Sequence, residues 1–340
     1  MQEWHDGRYD RLYVAVVTPY KPNSFEVDEQ ALRTLLRYFL QPQYIESGIG
    51  IIINPEAGEV FYLSRQEKLR NIEIALEETK GKVPVFTGII DTTTKAICED
   101  AKIAMKMGVD GIFFMPPMGA LDITIAWNPI KYPEVWLNIL REVVRTANLP
   151  IIVHPVANLT PLYGVGLPLE PTLSICNTIP NIVGWKMTYS WDGYKIIARG
   201  LKTLRNHVGI LCAPGVYFHE AIASGYFDGA VSGSFNYALE HMFQHINAAK
   251  SDNLVLAKRI WHSGLSDLHE YIYSDYSRLH VRYKVATWLR GLIPSPVMRP
   301  PMPPPKIDEV RTLTSFFQKM GVKIINNAEE KLAELSPIQA

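Results

Sequence analysis

Eight short apolar runs, LYVAVVTP, GIGIIIN, VPVFTG, GIFFMPP, LPIIVHP, NIVGWK, VGILCAP and GAVSGS, recur between residue 12 and about residue 250. Runs of this length, rich in β-branched residues and bounded by Gly, Pro and Asn, predict buried strands. The segments between them, such as SRQEKLRNIEIALEETKG and TTTKAICEDAKIAMKMG, place apolar residues at spacings of three and four. Several open on Ser, Thr or Asp and close on Gly, as helix caps do. Eight alternating strand and helix units predict an α/β protein, a (β/α)8 TIM barrel rather than an open doubly wound sheet. An open sheet of that kind would carry a glycine-rich phosphate loop after its first strand, and VAVVTPYKPNSF has none.

Past the eighth unit the rhythm changes. NYALEHMFQHINAAKS, NLVLAKRIWHSGLSDLHEYIY and RLHVRYKVATWLRGL follow one another with helical periodicity and no strand between them. IPSPVMRPPMPPP, residues 293–305, is too proline-rich for either element, and a last helix is expected near IDEVRTLTSFFQKMG. The expected organisation is a catalytic barrel over residues 1–235 and a C-terminal helical region over 236–340.

A single lysine closes the sixth run, in PNIVGWKMTYS. Alternation along a strand puts Ile182, Gly184 and Lys186 on one face and Val183 and Trp185 on the other, with Gly184 leaving room beneath the lysine. A lysine so placed is either a snorkelling strand end or a nucleophile toward a carbonyl, since burial disfavours the charged amine. The barrel shifts the balance toward the nucleophile, because side chains at the C-terminal ends of barrel strands line the active-site mouth. Lys186 ends the sixth strand and His154 the fifth, and the loop NPEAGEVF after the second brings Glu56 and Glu59 to the same rim.

Lys plus Arg and Asp plus Glu number 34 each, so no basic excess draws the chain to nucleic acid or anionic lipid. Cys98, Cys176 and Cys212 lack CxxC spacing, which argues against a disulfide framework or a zinc site. The N-terminal stretch MQEWHDGRYDRLYVAVV carries acids and no long apolar core, so a cytoplasmic protein outside the membrane is expected. His241 and His245 stand four apart in HMFQH, but without the Glu of HExxH they read as a packed or solvated helix face, and no metal is expected. Lys195 and Lys202 read as solvated surface.

With VVTPY, NPEAGE, GWKMT and DGAVSGSFN in place, the chain resembles the dihydrodipicolinate synthase and N-acetylneuraminate lyase family of Schiff-base aldolases over nearly its whole length. The resemblance implies that Lys186 forms an imine with pyruvate or a related 2-oxo acid, and that the backbone at Glu56 and Ala57 holds its carboxylate. It implies further substrate contacts from Gly58, Val231, Met118, Trp127 and Tyr189, no cofactor, an aldehyde as second reactant, and a homotetramer.

Three departures from the family pattern shape the expected chemistry. His154 stands where the family has a proton-carrying tyrosine, Glu56 where it has a relay threonine, and Met118 where it has a second tyrosine. A histidine titrates near neutrality and can take over proton transfer, so the expected catalytic set is Lys186, His154 and Glu56, with Glu59 holding the loop. Leu159 stands where synthases place an arginine for a second carboxylate, which argues against true dihydrodipicolinate synthesis. PPMGALDITIAW resembles the loop of hydratase-aldolases, so Trp127, Tyr189 and Trp191 either line an apolar acceptor pocket or cover helix and subunit contacts. A sugar-acid dehydratase or deaminase using the same lysine, and a relative that binds a small acid without catalysis, are the alternatives.

Overall fold

The computed structural model describes residues 4–115, 128 and 130–335. Among the described residues ten strands are formed: β1 (Leu12–Ala15), β2 (Ile49–Ile53), β3 (Val85–Ile89), β4 (Gly111–Phe114), β5 (Ile151–Val153), β6 (Val156–Thr160), β7 (Gly164–Gly166), β8 (Ile182–Met187), β9 (Gly209–Cys212) and β10 (Gly229–Ser232). Eight of them close into a parallel barrel in the order β1-β10-β9-β8-β5-β4-β3-β2. All eight apolar runs therefore become barrel strands, and the (β/α)8 expectation holds. Parallel strands need both faces covered, which is why every barrel strand is buried along its length apart from the half-buried Lys186.

Capping explains where the intervening helices begin and end. Ser64 and Glu67 form a reciprocal capping box on Arg65–Thr79. Thr93 accepts from the Ala96 amide at the start of Thr94–Met107, and Gly108, at φ +91°, closes that helix in the left-handed conformation. Ser190 caps Trp191–Leu201 through the Gly193 amide.

The sequence reading did not anticipate β6 and β7. They make a two-stranded antiparallel hairpin inserted between β5 and the helix Leu169–Thr178, with Val156 opposite Gly166 and Thr160 opposite Gly164. Gly164 takes φ +62°, and a Cβ there would strike the Ser190 backbone. The Ser190 hydroxyl donates to the Leu162 carbonyl at 2.5 Å, so the hairpin is docked on the N-terminus of the helix that follows β8. Leu159 lies on this hairpin and is 77% exposed.

The described chain groups into two compact units. One contains the N-terminal segment to Tyr13, Gly50–Ile53 and Pro84–Ser232; the other contains Val14–Ile49, Asn54–Val83 and the chain after Ser232. In the first, small residues make room for large ones across neighbouring strands. A Cβ at Gly50 would collide with Tyr13 and one at Gly111 with Phe86, and the two rings meet edge to face at 5.3 Å.

In the second unit the helices Phe235–Lys250, Leu254–Ile260, Ser266–Tyr273, Leu279–Leu289 and Ile307–Lys319 follow one another as expected, and Ala328–Leu335 adds one beyond them. That last helix was missed because it is short and buries only Ala328 and Leu332. Glu240 ties this unit together, accepting from the Tyr38 hydroxyl at 2.6 Å and from the Arg290 guanidinium at 2.9 Å. Among the described residues no helix is long and apolar enough to cross a membrane.

Candidate active site

Strand β8 sets the direction of Lys186. A Cβ on Gly184 would strike Leu211 and Ile152, so Gly184 faces the barrel interior, and two residues on Lys186 shares that face. Trp185, between them, points the other way, fully buried, and its indole N–H donates to the Tyr189 hydroxyl at 2.9 Å. On β5 the same alternation turns Ile152 inward, and His154, just past the strand end, follows it. The His154 amide donates to the Phe114 carbonyl at 2.8 Å, which extends the β4–β5 ladder to the mouth and fixes the imidazole there, 2% exposed.

A third side chain joins these two. Phe113, on β4 and fully buried, stacks on the His154 ring with centroids 5.6 Å apart and an interplanar angle of 21°. The Lys186 ammonium nitrogen lies over the same ring, 5.5 Å from its centroid, within cation–π range. Lysine, histidine and phenylalanine thus come from three consecutive barrel strands, β8, β5 and β4, at their C-terminal ends. An amine and an imidazole that each meet the same apolar ring are the kinds of group that addition to a carbonyl and proton transfer call for. Phe113 was missed as a site residue because in GIFFMPP it reads only as core; its spacing of two from Gly111 is the signal that it faces inward.

Val231 also faces the interior. Gly229 abuts Leu211, and Val231, two residues on, is fully buried on the same face of β10.

Tyr189 is a correction. It is 3% exposed, its hydroxyl is engaged by Trp185 on the opposite side of β8 from Lys186, and burial pushes its phenol well up. It packs behind the strand rather than lining a pocket. Trp191 stacks on Tyr194 at 5.4 Å and lies against Tyr217 at 5.8 Å, with the Lys195 ammonium 5.8 Å from its ring. Met118 and Trp127 lie outside the described residues.

The loop after β2 belongs to the second unit and is held at several points. Asn54, at φ +54°, donates to the Lys68 carbonyl at 2.9 Å and accepts from the Asn71 amide at 3.0 Å. Glu56, Ala57 and Gly58 form one tight turn. The Thr18 hydroxyl donates to the Gly58 carbonyl at 2.7 Å, and a Cβ on Gly58 would run into the Val16 carbonyl. The Gly58 N–H donates to the Pro55 carbonyl at 3.0 Å, inside the turn.

Glu59 takes φ +58°, is 1% exposed, and pairs with the ammonium of Lys284, itself fully buried. Burial lowers the Lys284 pKa and the Glu59 charge opposes that. In the sequence this lysine is one polar residue inside RYKVATWL, and nothing in its spacing links it to a loop more than two hundred residues away.

His245 is buried against Trp261 at 5.2 Å, and Lys195 and Lys202 pair with Asp192 and Asp228. Cys176 and Cys212 are buried, and burial pushes both thiols far up, away from reactivity. Among the described residues no group of three or more His, Cys, Asp or Glu gathers to hold a metal.

Fold and site together define a (β/α)8-barrel protein with a lysine and a histidine at the C-terminal mouth of adjacent strands. The chain belongs to the dihydrodipicolinate synthetase family, whose model matches residues 8–320. It is 25% identical over 320 residues to an uncharacterized DapA-like lyase of Thermofilum pendens, covering 94% of this chain and 99% of that one. It is 27% identical over 310 residues to the 4-hydroxy-tetrahydrodipicolinate synthase of Methanopyrus kandleri, covering 91% and 95%. Its fold matches that of an Escherichia coli K12 prophage protein of the same family, solved in complex with pyruvate. There the TM-score is 0.77 and the identity 19%, covering 92% of this chain and 99% of that one.

Proposed function

We propose that this chain is a Schiff-base-forming lyase acting on pyruvate or another 2-oxo acid, as an aldolase or hydratase-aldolase with an aldehyde as the other product or reactant. The observation that carries this reading is the inward-facing Lys186 on β8 over the Phe113 ring, on which the buried His154 also stacks. Membership in the family supports it, as does the pyruvate bound to the Escherichia coli relative.

In the proposed reaction the neutral amine of Lys186 adds to the 2-oxo carbonyl, and the carbonyl oxygen leaves as water to give an iminium. When the neighbouring carbon–carbon bond breaks, its electron pair moves into the iminium to form a neutral enamine and the aldehyde departs. The enamine then takes a proton at carbon, and water releases the acid. His154 carries the protons, with Glu56 in support. The Ala57 backbone holds the carboxylate, and Val231 adds apolar contact. The iminium is the electron sink, so this scheme requires no organic cofactor.

The chain stands apart from true dihydrodipicolinate synthases in this reading, because Leu159 offers an exposed aliphatic group and no guanidinium for a second carboxylate. A polar sugar acid is disfavoured by the Phe113 wall beside the amine. The working form is a cytoplasmic homotetramer, a state that light scattering measures directly. The test of the chemistry is intact mass after borohydride treatment with a panel of 2-oxo acids. An adduct on Lys186 with one of them supports the reading, and none with any of them refutes it.

A further inference from the structure

Lys284 lies far from Lys186 in sequence and has no part in the chemistry above, yet it is the most completely buried cation described. It is 0% exposed on the helix Leu279–Leu289, where its ammonium pairs with the Glu59 carboxylate and donates to the Val297 carbonyl at 3.1 Å. The nitrogen also lies 4.1 Å from the centroid of the Tyr20 ring. Arg299 flanks the same ring at 4.5 Å, donates its backbone N–H to Glu59 at 3.1 Å, and grips Glu67 and the Tyr62 carbonyl with its guanidinium.

A buried ion pair is a poor way to gain stability, since desolvating two charges costs about as much as their attraction returns. Its value lies in fixing geometry, and here it fixes one point. Glu59 is a non-glycine residue in the left-handed region, directly after the Glu56–Gly58 turn, and its own N–H donates to the Glu56 carbonyl at 2.9 Å. Such a conformation persists only where the surroundings over-determine it. With the Glu59 side chain pinned by Lys284 and its backbone closing the turn, the Ala57 amide is held in one orientation. Release of that carboxylate frees the turn to relax toward an ordinary φ.

We propose that Lys284 is a positioning residue, acting through Glu59 on the turn whose Ala57 backbone receives the carboxylate of the 2-oxo acid. This rests on the reaction class proposed above. Misplacing a binding group by about an ångström costs on the order of 100-fold in the best-fitted sites. Loosening this turn is therefore expected to raise the half-saturating 2-oxo acid concentration by about 10- to 100-fold, while leaving the final extent of imine trapping unchanged.

The experiment compares the full wild-type chain with Lys284→Met and with the neutral pair Glu59→Gln/Lys284→Met. The single variant leaves an unpaired buried carboxylate and is expected to unfold easily; the neutral pair removes both charges and keeps the question open. Two readouts are taken on folded protein: amide hydrogen exchange of the segment 54–62 without ligand, and the pyruvate concentration that gives half-maximal borohydride adduct. The expected result is a melting temperature near wild type for the neutral pair, faster exchange in 54–62, and a raised half-saturation with the same maximal adduct. Wild-type exchange in that segment, or wild-type half-saturation despite faster exchange, overturns the proposal. If the wild-type chain itself gives no adduct with any 2-oxo acid, the reaction class fails, and unchanged or accelerated exchange in 54–62 still decides whether Lys284 holds the turn.

Discussion

Replacing His154 by alanine separates a proton carrier from a piece of wall, because the structure allows both losses to be sized. The imidazole is 2% exposed and stacked on Phe113 at 5.6 Å. An aromatic pair is worth about 0.5–1.5 kcal/mol beyond its buried area, and the void left behind brings the stability loss to roughly 2 kcal/mol. In a chain of this size that lowers the melting temperature by only a few degrees, so the variant is expected to stay folded at 25 °C. Loss of an acid/base group costs about 10²- to 10⁴-fold in rate, which corresponds to roughly 3–5 kcal/mol of barrier. The fall in kcat is therefore expected to exceed anything the melting curve accounts for, while borohydride trapping at Lys186 persists. His154→Phe sharpens the comparison, since it keeps a ring against Phe113 but carries no proton, and it should restore the melting temperature without restoring kcat. Assays are steady-state kinetics on the natural aldehyde, thermal unfolding and trapping of the same preparations. Near wild-type kcat in either variant would show that the histidine is wall, and that Glu56 or water moves the proton.

Further outcomes follow from other parts of the molecule. His269 is fully buried with its Nδ1 donating to the Leu265 carbonyl at 2.8 Å, and burial lowers its pKa from 6.5 to about 4. Its unfolded form binds the proton first, so stability is complete above about pH 6.5 and falls on acidification, by about 2 kcal/mol at pH 5. His269→Phe should lose markedly less between pH 7 and 5 in urea titrations; an equal loss refutes the assignment. His207 behaves in the opposite sense: the hydrogen bond from its Nε2 to Asp10 at 2.7 Å raises its pKa. Its contribution is full below about pH 6.5 and is lost as pH rises through the raised value, so His207→Gln should destabilise at pH 6 and have little effect at pH 9. In a coupled assay with pyruvate and aspartate semialdehyde the protein should show only weak synthase activity, because Leu159 cannot fork a carboxylate; robust activity would show that Leu159 does not stand at the arginine position.

The barrel was legible because each strand is a continuous apolar run and several of the helices carry their own caps, so the pattern needed no knowledge of distant contacts. The placement of Lys186 and His154 at the C-terminal ends of their strands was legible for the same reason, since strand alternation gives both by counting along one strand. What failed was decided by contacts between segments. The β6–β7 hairpin hides in VANLTPLYGVG, where Pro161 and Gly164 read as loop and the pairing is set by docking on Ser190. Tyr189 read as an aromatic near the mouth, but its partner is Trp185 four residues back, on the far face of the strand. The cation that Glu59 pairs with was hidden for the same reason, since it lies in a helix near the other end of the chain.

The central claim is that Lys186 forms a covalent imine, and peptide mapping after borohydride treatment tests it most directly. With the right 2-oxo acid, the protein should gain a single reduced adduct, located on the peptide containing Lys186. Lys186→Ala should keep a wild-type unfolding profile and gain none. An adduct on another lysine, or one that survives in Lys186→Ala, contradicts the account.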